Sequence, residues 1–282
     1  MDPENKRVWI TGANGLLGNY LVRAAPPNLE ICALTRERLD LLDFSAVRRE
    51  FQKAPPALII HCAAISTVAG ALADRDLARR TNVECTALLA ELAADARLIF
   101  FSTDFVFDGR KGNYAETDAV NPISFYGETK AAAEEIVLRN PRHLVVRTSI
   151  NCGTSASGNR GFNEQLRAAL QKGRMALFTD EFRCPIFAGE TARATWELAQ
   201  KDCAGIFHAA GAEKLSRWRM GQLLVQRWPE LADRIEPGCA RDFPGPPRAL
   251  DTSLNVSKAQ KILDTPLPRF SDWLGANPGE NV

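Results

Sequence analysis

The chain has 282 residues, of which 45% are hydrophobic and 24% charged, and its formal net charge is +1. That length supports one large core, or a main body with a smaller lobe, and the composition is that of a globular protein. So even a charge balance offers nothing to attract nucleic acid or an acidic membrane surface, and neither partner is expected.

The N-terminus is charged and lacks the apolar stretch of a signal peptide. No apolar run reaches the roughly 20 residues of a membrane helix, so a cytoplasmic location is expected. The seven cysteines (Cys32, Cys62, Cys85, Cys152, Cys184, Cys203, Cys239) are scattered and contain no Cys-x-x-Cys pair. They read as reduced, mostly buried thiols, and no metal site is expected.

In chain order, residues 7–11, 30–35, 57–63, 97–103 and 143–149 read as strands. They are near-continuous apolar runs, as strands buried on both faces are. Helices are expected over 16–25, 45–53, 74–94 and 126–139, with Asp43 as a cap for the second and Pro55–Pro56 as its stop. Alternating β and α elements predict a parallel sheet covered on both faces, hence an α/β, Rossmann-type doubly wound fold.

The rhythm changes after residue 150. The run from Asn151 to Gly161 is rich in Gly and Ser and reads as a loop, followed by a helix over 163–172 and a strand over 175–179. Residues 237–247, rich in Pro and Gly, are expected to be irregular. Residues 1–150 are thus read as the dinucleotide-binding domain. Residues 151–282 read mainly as a small C-terminal substrate lobe, with some segments returning to the sheet.

Four patches carry chemistry. Thr11-Gly12-Ala13-Asn14-Gly15-Leu16-Leu17-Gly18 joins the first strand to the first helix. Glycines there let the backbone approach a pyrophosphate, and the helix N-terminus offers free N–H groups. The second strand ends at Arg36, where an NAD site usually carries an acid. A guanidinium suits a 2′-phosphate, so NADPH is expected, with NADH possible because Glu37 is adjacent. Asp43 falls where the chain can meet the adenine. Ser102-Thr103-Asp104-Phe105 closes the fourth strand, with hydroxyls facing the nicotinamide position. Tyr126 and Lys130 lie one turn apart on one helical face, a spacing that suits a proton donor and a cation that favours its phenolate. His61, His143 and His208 lie in apolar runs and read as core or strand-end histidines.

Together, the glycine triplet, Cys62-Ala63-Ala64, Asn82-Val-Glu, Ser-Thr-Asp-Phe-Val-Phe-Asp-Gly from Ser102, Tyr126-Gly-Glu-Thr-Lys130 and Val146-Arg-Thr-Ser resemble the extended short-chain dehydrogenases. More narrowly, they resemble dTDP-4-dehydrorhamnose reductases, over nearly the whole chain. The resemblance implies catalytic roles for Thr103, Tyr126 and Lys130. It places Gly12, Asn14, Gly15, Leu16, Leu17, Gly18, Arg36, Asp43, Ala63, Ala64, Ser102 and Ser149 at the cofactor. Thr103, Asp104, Phe105, Ile150, Asn151 and Arg183 would face a nucleotide-sugar substrate. A monomer or homodimer is implied.

The chain departs from that pattern in three places, one being Val68-Ala69-Gly70, where acidic residues are expected after the Ala-Ala segment. Phe105 stands where those reductases usually have Tyr, and Ile150-Asn151 where they have Trp. Two other readings stay open: an epimerase or dehydratase of the same superfamily, with Asp104 as an extra acid, and a non-catalytic NADP-binding regulatory subunit.

Overall fold

All five expected strands pair side by side and in parallel in the computed structural model, which describes residues 6–245 and 247–280. They are β1 (Arg7–Thr11), β2 (Glu30–Leu34), β3 (Leu58–His61), β4 (Arg97–Thr103) and β5 (Leu144–Thr148). A sixth, β6 (Gly205–His208), comes back from the C-terminal half to pair with β5. The order is β2-β1-β3-β4-β5-β6. The chain reverses direction across the sheet between β1 and β3, so the carboxyl ends of those two strands flank a crevice.

Successive side chains of each strand serve opposite faces. Val8 and Ile10 enter one core with Leu21 and Trp196, whereas Trp9 enters the other with Val47, Leu88 and Val137. One face is covered by α1 (Leu16–Arg23) and by α6 (Ala188–Gln200), whose Trp196 indole donates to the Leu21 carbonyl at 2.9 Å. The other carries α2 (Phe44–Lys53), α3 (Cys85–Leu92) and α4 (Phe125–Val137). Helix α2 is capped by Asp43, which accepts the Ala46 N–H at 2.9 Å.

Two expectations need correction. Residues 74–94 are not one α-helix: Arg75–Arg79 is followed by a π-helical turn, Arg80–Glu84, before α3 begins. The wider turn brings buried Asn82 onto the loop after β3, where it bonds both the N–H and the C=O of Ile65 and the Thr129 hydroxyl of α4. Residues 237–247 are not wholly irregular either. Ile235–Gly238 forms a strand parallel to Met175–Phe178, and Ala240–Asp242 a 3₁₀ turn, while Pro246 lies outside the described residues. Pro237 is tolerated because this is a two-stranded sheet with free edges.

Beyond β5 a third core forms around Leu166, Leu177, Met220, Leu224, Trp228 and Trp273, with α5 (Phe162–Lys172) and α7 (Arg217–Val225) as its main helices. It builds a lobe beside the carboxyl edge of the sheet. The segment from Ala249 to Asn255 ties this lobe to the loop after β4. Phe182 N–H bonds the Leu250 carbonyl at 2.6 Å, and Tyr114 exchanges bonds with Ser253 and Asn255. Among the described residues no helix is long and apolar enough to cross a membrane.

Candidate active site

The glycine turn is shaped by close approach. Gly12 has φ +63°, and a Cβ there would sit 2.8 Å from the Ala63 amide nitrogen. A Cβ on Gly18 would run into the Gly12 carbonyl, so the first turn of α1 can lie against β1 only without a side chain. No side chain caps α1 at Gly15, which leaves its N-terminal N–H groups facing the crevice. Asn14 is exposed, and Ala63 and Ala64 form the opposite wall. The turn, the small wall and the uncapped helix suit a pyrophosphate.

Arg36 is exposed at the end of β2, with Arg38 two residues on. The sequence reading missed Arg38, whose guanidinium reaches the Ala33 carbonyl at 3.4 Å. Asp43 is committed to capping α2. His61, at the end of β3, is a satisfied core histidine: Nδ1 lies 2.7 Å from Thr11 Oγ1 and Nε2 3.1 Å from Thr86 Oγ1. Burial, and then the charge of Lys130, push its pKa down to about 3, so the ring is neutral. Thr11 in turn accepts the N–H groups of Cys62 and Ala63, which fixes the wall to the glycine turn.

Thr103 ends β4, and Tyr126 lies in the first turn of α4, which Ser124 caps at 3.1 Å to the Gly127 N–H. The helix fits because Gly127 leaves room for the Phe105 carbonyl. Burial raises the Tyr126 pKa to about 12; the Thr103 hydroxyl lowers it somewhat and the Asp104 charge raises it further. Lys130, one turn on, is equally buried. Burial depresses its pKa to about 7, partly offset by the charges of Glu134 and Cys62. Its ammonium sits over the Phe100 ring, 3.9 Å from the centroid. Glu134 does not pair with it, being taken by Arg147 in a buried two-bond pair of 2.9 and 2.7 Å. A buried cation with an aromatic face as its partner can still turn to a ribose hydroxyl. The Ser102 hydroxyl, buried at the same edge, has no hydrogen-bond partner.

Of the residues assigned to the substrate, Thr103 and Phe105 stand next to Tyr126, the Phe105 ring meeting the phenol edge-on at 6.0 Å. Ile150 is half-buried and packs on the lobe core. Asn151 is drawn into the structure instead, donating to Thr148 Oγ1 at 3.0 Å and accepting from Thr191 at 2.8 Å. Asp104 and Arg183 are buried and face each other, with Arg183 Nε 3.7 Å from Asp104 Oδ2. Arg183 also bonds the carbonyls of Phe182 and Ala249 and pairs with Glu181, so its guanidinium braces the lobe from inside. Glu181, fully buried, is raised by burial, but Arg217, Arg248 and Arg183 outweigh that and hold its pKa down to about 2. Ser149 donates to Asp104 at 2.8 Å.

All seven cysteines are free thiols; Cys85, Cys152 and Cys184 are buried and the others half-buried. Among the described residues no three His, Cys, Asp or Glu converge to hold a metal.

Known proteins are similar along most of the chain. Residues 6–276 match the model of the RmlD substrate binding domain family. The dTDP-4-dehydrorhamnose reductase of Sinorhizobium fredii is 30% identical over 281 residues, 94% of each chain. The methionine adenosyltransferase 2 subunit beta of Danio rerio is 32% identical over 231 residues, 76% of this chain and 72% of its own. A crystal structure of dTDP-4-dehydrorhamnose reductase from Bacillus anthracis in complex with NADP superposes with a TM-score of 0.88. It is 25% identical and covers 96% of this chain and 98% of that one. By fold, by site and by this match along its length, the chain belongs to the RmlD substrate binding domain family.

Proposed function

We propose that this chain is an NADPH-dependent oxidoreductase that reduces the 4-keto group of a nucleotide-linked deoxysugar, as a dTDP-4-dehydrorhamnose reductase does. The observation that carries the reading is the convergence of Thr103, Tyr126 and Lys130 at the carboxyl edge of the sheet, beside a glycine turn that only small residues can form.

Gly12, Asn14, Gly15, Leu16, Leu17 and Gly18 hold the pyrophosphate, and Arg36 meets the 2′-phosphate. Ala63, Ala64, Ser102 and Ser149 line the path to the nicotinamide. The reduced nicotinamide, when bound, supplies the hydride. Tyr126 gives its proton to the keto oxygen as that oxygen gains charge, so the product is the alcohol. Lys130 turns from the Phe100 ring to the ribose, where its charge assists the departure of the phenolic proton. Thr103 orients the oxygen toward Tyr126. The Rossmann body, residues 1–150, serves the cofactor, and residues 151–282 mainly serve the sugar nucleotide. Phe105 and Ile150 make the sugar side of the pocket more apolar than Tyr and Trp would. A cytoplasmic location fits a soluble sugar nucleotide as substrate.

The test is NADPH oxidation with freshly generated dTDP-4-keto-6-deoxy-L-mannose, comparing the wild type with Tyr126→Phe. Turnover that falls about 10²–10⁴-fold in the variant, with NADPH still bound, is the expected result. Tight NADPH binding without turnover of any keto-sugar nucleotide would overturn it in favour of a regulatory subunit.

A further inference from the structure

Three guanidiniums converge on the buried carboxylate of Glu181. Arg183 Nη2 lies 3.2 Å from Oε1, Arg217 Nε donates to Oε1 at 3.0 Å, and Arg248 Nε donates to Oε2 at 2.5 Å. Separate stretches of chain meet there. Leu215–Ser216 pairs antiparallel with Phe182–Arg183, and the Arg217 N–H bonds the Glu181 carbonyl at 2.9 Å, so α7 begins beside the carboxylate. Arg248 comes from the segment whose Leu250 carbonyl takes the Phe182 N–H. A lone carboxylate this deep would be costly, and the guanidiniums make it tenable.

The arginines face different ways. Arg183 is 1% exposed and turns inward, to the carbonyls of Phe182 and Ala249 and to Asp104, which Ser149 and Thr252 also bond. Arg217 and Arg248 keep 20% and 32% of their side chains exposed, and each uses only its Nε on Glu181. Among the described residues, neither Nη group of either arginine has a hydrogen-bond partner. Aromatic rings steady the two planes without using those N–H groups. Phe162 lies 4.8 Å from Arg217 Cζ, and Phe178 and the exposed Phe243 lie 5.0 and 5.6 Å from Arg248 Cζ. Three guanidiniums meet two carboxylates, Glu181 and Asp104, so the group carries excess positive charge. Two fixed forks with that charge suit phosphate oxygens.

We propose that Arg217 and Arg248 clamp the diphosphate of a nucleotide-linked substrate, and that Glu181 is the positioning residue that aims both forks. The ligand rests on the reductase reading above; the arrangement of the forks does not. Their place fits that ligand. The Phe105 ring meets Tyr126 on one side, and Arg183 Cζ lies 5.0 Å from its centroid, so the cluster starts at the wall of the pocket. In a sugar nucleotide the diphosphate hangs from the anomeric carbon, across the ring from a 4-keto group. A clamp on the lobe side of Phe105 is where such a group is met, with Arg183 bracing it from behind.

The experiment measures dTDP and dTMP binding by calorimetry, with NADP⁺ saturating so that the glycine turn and Arg36 are already occupied. The wild type is expected to prefer dTDP by about tenfold or more, and Arg217→Gln and Arg248→Gln each to remove most of that preference. Arg248→Lys keeps the charge, but one ammonium cannot serve both Glu181 and a phosphate, so it should lose the preference too. Glu181→Gln separates aim from charge. It leaves more net positive charge, which alone would tighten dTDP; the proposal expects weaker dTDP binding with NADP⁺ affinity unchanged. Tighter dTDP binding in Glu181→Gln, a preference kept in both Arg→Gln variants, or no preference in the wild type would overturn the proposal. The arginine variants, at partly exposed positions, decide it even if Glu181→Gln does not fold. Turnover of a keto-sugar nucleotide without the dTDP preference would sink the clamp alone. The preference without turnover would sink the reductase reading and leave the clamp standing.

Discussion

Lys130 lies one helical turn beyond Tyr126, yet its ammonium rests on the face of Phe100, 3.9 Å from the ring centre, and makes no hydrogen bond to the phenol. Among the described residues this buried cation has no carboxylate paired with it, Glu134 being taken by Arg147. Unfolded, Lys130 keeps its proton up to about 10.5; folded, it gives the proton up near 7. Between those values the unfolded chain binds more protons, so this residue destabilises the fold most at or below pH 7, and the penalty fades as pH rises. Lys130→Met should raise the stability of the ligand-free protein at pH 7 by about 1–3 kcal/mol, while weakening NADPH binding. Thermal unfolding at several pH values checks this: a gain that does not shrink toward alkaline pH would contradict it.

Gly18→Ala places a methyl group against the Gly12 carbonyl. The first turn of α1 must back away from β1, at about 1–3 kcal/mol. Because the displaced atoms form the phosphate cradle, affinity for NADPH should fall by about tenfold or more. Fluorescence titration with NADPH measures it, and an unchanged affinity would remove the turn from the cofactor site.

Arg147 and Glu134 join β5 to α4 through two bonds, with both side chains almost fully buried. Breaking the pair from one side strands a charge. Glu134→Gln is expected to cost about 3–5 kcal/mol, whereas the double change Glu134→Leu with Arg147→Met should recover much of that. Urea unfolding of the three proteins decides it, and additive losses in the double variant would argue against the pair.

His61 and His208 are both held neutral, chiefly by burial, with pKa values near 3. The unfolded chain takes up their protons below about pH 6.5, the fold does not, and stability therefore falls as pH drops from about 6.5 toward 3. In His208→Leu one such proton is gone. Its stability should fall with acid less steeply than the wild type's, by about 1.4 kcal/mol per pH unit. Equal slopes in urea unfolding between about pH 4 and 6 would refute the assignment.

Much of this architecture was legible in the chain. The first five strands announce themselves because residues buried on both faces leave no polar alternation, and Asp43 signals the start of α2 by its own side chain. The glycine turn and the Tyr126–Lys130 spacing are local patterns, readable for the same reason. What escaped depends on distant partners. The π-helical turn at Arg80–Glu84 is fixed by Asn82 reaching Ile65 and Thr129, far apart in sequence. Ile235–Gly238 becomes a strand only because Met175–Phe178 lies beside it. Asp104 and Arg183 both sit at positions that suggest a substrate pocket, and no short-range signal reveals that they face each other.

Thr252 donates to Asp104, and the neighbouring carbonyls of Ala249 and Leu250 anchor Phe182 and Arg183. The environment of a residue at the end of the fourth strand is thus completed by a segment synthesised 148 residues after it. The parallel sheet can assemble around β1 to β5 while the rest of the chain is still emerging. A nascent chain halted before Ala249 would carry the glycine turn, Tyr126 and Lys130, yet its Asp104 would lack the Thr252 hydroxyl and the lobe strand its anchor. Such a fragment would be expected to acquire the capacity to bind dinucleotide before it acquires a finished catalytic pocket.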